Sequence, residues 1–183
     1  MSLAPVGPSR ILVYGVTGSG KSTVAERISE RLGVPWFPVD DLGWEPGWVP
    51  VPNEVIRERI VAICDQPEWI LDSAYSSWLD VPLGAADLVV GLDFPRWLSL
   101  RRLVTRTAIR VMRQTPVCNG NRESMRSVWS KDSIVVWHFR SFKRKQRRMR
   151  RWQAEMGGTK ILLFRTPAAL NSWLGGLRRM DVD

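Results

Sequence analysis

The sequence predicts an α/β fold, a mostly parallel sheet covered by helices on both faces. Three observations point there. Short apolar runs at 11–13, 69–71 and 86–92 alternate with segments of helical periodicity. The first run leads straight into residues 15–23, GVTGSGKST, which match the phosphate-binding pattern G-x-x-x-x-G-K-[ST] without a gap. Carboxylates end the apolar runs: Asp40 and Asp41, Asp72, and Asp93. Ligands of open parallel sheets gather at the C-terminal strand edge, so the loop and the carboxylates converge on one site.

Each element has its own warrant. Residues 10–14 read as the first strand. Val24, Ala25, Ile28 and Leu32 recur at helical spacing over 22–32, and Gly33 stops that helix. Residues 36–39 read as a second strand with Asp40 and Asp41 at its end. The stretch GWEPGWVPVP, 43–52, is too rich in Gly and Pro for regular structure. A helix over 53–65, with Asn53 as candidate cap, places Val55, Ile56, Ile60 and Ile63 inward. Strands at 69–71 and 86–92 follow. Pro95 suits the first turn of a long helix reaching about Arg113. PVCNGNRES, 116–124, reads as a loop. A second long helix spans 131–155 and stops at Gly157 and Gly158; a strand at 160–164 and a helix over 167–174 close the fold.

At 183 residues the chain suits one domain over 10–177, between a loose tail at 1–9 and another at 178–183. Residues 1–9 lack the basic start and apolar stretch of a secretory signal, and no run is long enough to span a bilayer, so cytoplasmic residence is expected. Cys64 and Cys118 have no metal-site spacing and form no disulfide framework. The net charge of +9 is concentrated: residues 96–151 hold 17 Lys/Arg against two acids, Glu123 and Asp132. Such a block serves as a phosphate clamp, a nucleic-acid surface or a solvated helix face.

The loop carries the sharpest chemistry. Gly15, Gly18 and Gly20 let the backbone curl so that N–H groups around Thr17 and Ser19 face a phosphate, aided by the positive end of the new helix. Lys21 is placed to reach β- and γ-phosphates, and Ser22 to hold Mg²⁺. Thr23 either assists at the α-phosphate or simply starts the helix. Asp72, after three apolar residues, sits where a carboxylate holds Mg²⁺ through water; the alternative is a turn cap. Arg102, Arg106, Arg110 and Arg113 share a helix face, with Arg106 and Arg110 nearest the cavity. Asp93 reads as a structural turn residue and His138 as a packed core histidine.

Residues 69–72 (WILD), 92–97 (LDFPRW), 119–123 (NGNRE) and 137–140 (WHFR) add a more specific signal. With the loop, they make the chain resemble the small P-loop kinases related to adenylate kinase. The resemblance is nearest to bacterial proteins known either as adenylate kinases or as DNA topology modulation proteins. It implies a three-layer P-loop NTPase fold, a five-stranded parallel sheet in the order 2-3-1-4-5, and a short lid around 113–128. ATP and Mg²⁺ are the implied cofactors, and phosphoryl transfer to a nucleoside monophosphate or related small acceptor is the implied reaction. Arg165, Thr166 and Pro167 would pass the adenine. Arg122 would be the lid arginine, paired by Glu123. Asp40, Asp41 and Trp44, with Arg57 or Arg59 supplying positive charge and Trp48 a ring contact, would form the acceptor side. A nucleotide-regulated nucleic-acid-binding role through 96–151 is the competing expectation.

Overall fold

The computed structural model describes residues 8–113, 116–117, 119–122 and 134–177. Strand β1 (Arg10–Gly15) runs into helix α1 (Lys21–Leu32), and β2 (Trp36–Phe37) into the short α2 (Val39–Gly43). A hairpin of β3 (Trp44–Glu45) and β4 (Val49–Pro50) precedes α3 (Asn53–Cys64), β5 (Trp69–Leu71) and α4 (Asp80–Ala85). Then come β6 (Leu88–Leu92), α5 (Arg96–Arg113) and a second hairpin, β7 (Pro116–Val117) with β8 (Asn121–Arg122). The long α6 (Ile134–Lys160), β9 (Ile161–Phe164) and α7 (Pro167–Gly176) complete the order.

Five strands form one parallel sheet in the order β2-β5-β1-β6-β9. Numbered within that sheet, this is the expected 2-3-1-4-5. β1 is central because its run Ile11–Tyr14 is apolar on both faces and fully buried, as a doubly covered parallel strand requires. On one face Ile11 and Val13 pack with Val24, Ala25 and Ile28 of α1 and Leu170 and Leu174 of α7. On the other, Leu12 and Tyr14 pack with Ile60 and Ile63 of α3 and Met149 and Trp152 of α6. Period-two alternation along β1 thus feeds two separate cores.

Several details depart from the sequence reading. Residues 43–52 include a hairpin: Gly47 (φ 81°) and Trp48 (φ 60°) make the reversal, and Trp44 pairs with Pro50. Asp40 and Asp41 lie within α2, because Val39 closes onto the carboxylate of Asp72 and turns the chain early. Pro52, not Asn53, takes the cap position of α3. α6 continues through 157–158 to Lys160, where the chain passes directly into β9. α4 has no counterpart among the expected elements. Of the expected loose tail at 1–9, Ser9 is instead buried and bonded to Asp87, and 1–7 lie outside the described residues, as do 178–183 and most of the expected lid.

Candidate phosphate-binding and acceptor site

The site grows from the C-terminal ends of the sheet strands. Gly18 (φ 80°) and Gly20 (φ 92°) adopt left-handed backbone that side chains disfavour. At Gly18 a Cβ would also strike the Ser99 carbonyl and come within 2.8 Å of the Leu103 Cβ. The loop is therefore glycine-specified by both φ and close approach to α5. Ser19 ties it internally, its Oγ–H donating to the Val16 carbonyl at 2.8 Å. Arg102 braces it from α5 through the Ser19 carbonyl (3.2 Å), and His138 braces it from α6, Nδ1 lying 3.0 Å from the Thr17 carbonyl. That contact assigns the proton to Nδ1, and burial holds the imidazole pKa below its ordinary value. The core reading of His138 thus gains a specific job: it orients the loop.

α1 has no side-chain cap at its N-terminus, so its first N–H groups face the loop's concavity without a competing carboxylate. Lys21 bends back over the loop, Nζ donating to the Val16 carbonyl at 3.2 Å. Burial lowers its pKa; Asp40 and Asp72 oppose that, and Arg106 reinforces it. A lysine crowded between an arginine and two carboxylates fits a site awaiting an anion.

Asp72, buried at the end of β5, accepts the Val39 N–H at 2.9 Å and the Ser22 hydroxyl. Burial pushes its pKa up, while Ser22, Val39 and Lys21 pull it down and nearby Asp40 pushes it up. A cation would favour the ionised carboxylate. Among the described residues no group of three or more His, Cys, Asp or Glu forms a self-sufficient metal site. Mg²⁺ needs none, because it is commonly held by one or two protein oxygens plus substrate phosphates. Asp72 and Ser22 lie close enough to each other to serve as such a pair beside the glycine loop.

Beside them lies the expected acceptor side. Asp40 is exposed, accepts the Tyr75 hydroxyl (3.3 Å), and interacts with Lys21. Asp41 is exposed on the same short helix, and its carbonyl accepts the Asn119 amide at 2.8 Å. Trp44 and Trp48 meet edge to face, centroids 5.5 Å apart. The guanidinium of Arg57 forks onto Asp80 (2.9 and 2.6 Å), and Arg59 reaches Glu45 (3.5 Å). Asn119 and Asn121 clasp the two hairpins together. Asn119 donates to the Asp41 and Trp44 carbonyls, while Asn121 accepts the Trp48 N–H (2.8 Å) and donates to the Glu45 carbonyl (3.0 Å).

Arg106 and Arg110 are half-buried on the face of α5 that also carries Arg102, and Arg113 is exposed. Arg101, Arg102, Arg106, Arg110 and Arg113 line one open groove. The backbone of Arg122 belongs to β8, and its side chain, like Glu123 and Cys118, lies outside what is described. Arg165 and Thr166 are exposed after β9, with Thr166 capping α7 through the Ala169 N–H. Asp93 is structural as expected, held by Gln146 (2.8 Å) and Arg150 (2.9 Å).

Sequence reasoning missed Lys145. It is buried in the basic run of α6, with Nζ 3.4 Å from the Gly15 carbonyl and 5.4 Å from the Tyr14 ring centroid. The available signal was period: Phe142, Lys145, Met149 and Trp152 share the inward face of α6.

The fold is similar to that of two solved kinases. A gluconokinase from Sinorhizobium meliloti 1021 superposes with a TM-score of 0.54 at 20% identity, covering 93% of this chain and 91% of that one. A shikimate kinase from Bacteroides thetaiotaomicron gives 0.52 at 13% identity, covering 92% and 96%. The chain shares their fold. No protein-family model matches the sequence, and a search of curated proteins gives no match. No helix among the described residues is long and apolar enough to cross a membrane.

Proposed function

We propose that the protein transfers a phosphoryl group from ATP to a small hydroxyl-bearing acceptor. The carrying observation is the cluster of Lys21, Ser22, Asp72 and Asp40 at the mouth of a glycine-specified loop. In this reading residues 15–23 cradle the donor's phosphates, Lys21 neutralises their charge, and 165–167 flank the base. Ser22 and Asp72 would hold Mg²⁺, which offsets phosphate charge during transfer. Asp40, two strands from the loop and beside Lys21, orients the acceptor hydroxyl. Arg106, Arg110 and, from the expected lid, Arg122 would supply positive charge to the transferring group.

A nucleoside monophosphate is the acceptor that the adenylate kinase resemblance implies, with Trp44 and Trp48 as ring contacts and Arg57 as its phosphate partner. A hydroxylated sugar or ring acid is the second reading. The Arg57–Asp80 fork supports it, since Asp80 already occupies the guanidinium that a nucleotide's phosphate would use. A panel of ATP, Mg²⁺ and single acceptors decides: nucleoside monophosphates, nucleosides, sugars, sugar acids and hydroxylated ring acids. One preferred acceptor, with ADP formed in equal amount, is expected. ATP hydrolysis unaffected by every acceptor, with salt-sensitive duplex binding through 96–151, would replace the kinase reading with the nucleic-acid one.

A further inference from the structure

Two lysines address the loop from opposite sides. Lys21 arrives from α1 and rests on the Val16 carbonyl. Lys145 arrives from α6 and rests on the Gly15 carbonyl. Only 7% of Lys145 is exposed, although its neighbours Lys143, Arg144 and Arg147 face solvent. A buried ammonium is costly unless paired, and a lysine held against a carbonyl and an aromatic ring has only partial compensation. Among the described residues no carboxylate lies within ion-pair distance of it.

We propose that Lys145 is a second cation of the phosphate site, binding the terminal phosphate of the nucleotide from the α6 side and taking up a proton as it does so. The inference rests on the donor site described above. Above neutral pH, where its amine is mostly uncharged, Lys145 accepts one proton from solvent when the anion arrives and returns it on release; no other bond changes.

The surroundings fit this behaviour. Burial and then Lys21 lower the pKa of Lys145 to about 7; Asp40 of α2 opposes this, and Arg144 and Arg148 of its own helix add to the lowering. From β1 it meets the Tyr14 ring, whose hydroxyl is occupied by Arg148 at 3.2 Å. Asp93, after β6, is engaged by Gln146 and Arg150 instead. An arriving phosphate supplies the missing counter-charge and raises the affinity of the amine for its proton. Lysine suits the role because it changes charge in an accessible range, whereas arginine does not.

Calorimetric titration of the full chain with MgATP at pH 8, in two buffers of different ionisation enthalpy, counts protons taken up on binding. A group with pKa about 7 is about nine-tenths neutral there, so the wild type should take up close to one proton. Lys145→Arg, already charged, should bind with no uptake; Lys145→Met, checked for fold by circular dichroism, should bind more weakly and also without uptake. Binding by the wild type without net uptake overturns the inference and leaves the donor site standing. So does uptake retained in Lys145→Arg, which would point to Lys21 or His138, the other bases against the loop whose pKa burial lowers. No MgATP binding by the wild type overturns the donor site and this inference together.

Discussion

The phosphate loop and the paired hairpins sit at the same sheet edge but are specified in opposite ways. The loop is held by backbone rules: glycines at positive φ, a carbonyl turn at Val16, and braces from Arg102 and His138. Few other sequences could form it, so it announces itself. The hairpins at 44–50 and 116–122 are two-residue strands joined by asparagine side chains to backbone carbonyls. Many sequences could form those bonds, and nothing in GWEPGWVPVP says that an asparagine some 70 residues away will complete it. In the proposed function the loop is the donor side, built from backbone rules, and the hairpins are the acceptor side, built from replaceable contacts.

Substitutions should separate the two regions. In the proposed reaction Lys21→Ala removes a charge from the transferring group and should lower turnover by about 10²–10⁴-fold with unchanged circular dichroism. Steady-state kinetics beside spectra check this, and normal turnover would remove Lys21 from the chemistry. Gly18→Val forces a branched side chain into positive φ and against Ser99 and Leu103. A loss of about 2–5 kcal/mol is expected by denaturant unfolding, with nucleotide binding lost as well.

Lys145→Met should act in the other direction on stability. The folded pKa of Lys145 is lowered to about 7, so between there and its unfolded value the native state binds fewer protons than the unfolded state. Its penalty is full below about pH 7 and disappears as pH rises toward the ordinary lysine range. The variant should therefore be more stable than the wild type by about 2–4 kcal/mol at pH 6, with the gap closing by pH 10. Parallel urea melts at the two pH values check the sign.

On the acceptor side effects should be smaller. Asn121→Ala loses two bonds between the hairpins and should cost about 1–2 kcal/mol in closing them. Acceptor KM should rise roughly 5–30-fold while MgATP affinity holds. Arg57→Ala removes an exposed pair with Asp80 and should leave the melting curve unchanged. A marked fall in acceptor affinity there would favour the nucleoside monophosphate reading.

The same contrast explains what the sequence could disclose. The strands followed from alternating apolar runs and their order from the family resemblance, and Lys21, Ser22 and Asp72 meet because each ends or follows one of those strands. α2 was hidden because a side-chain bond from Asp72 to the Val39 N–H, not local propensity, turns the chain after β2. Lys145 was hidden because a run of six residues with five basic side chains masks the period of the helix beneath it. Arg57 was visible as a cation near the site, but its partner Asp80 lies on α4, a helix containing Pro82 and Gly84 that no periodicity marks.

Hydrogen exchange on the full chain tests the division of labour most directly. With MgATP alone, amides of 16–23 should gain protection and those of 44–50 and 119–122 should not. Adding the preferred acceptor should then protect the hairpins. Unprotected amides at 16–23 in saturating MgATP would contradict a donor site in this loop.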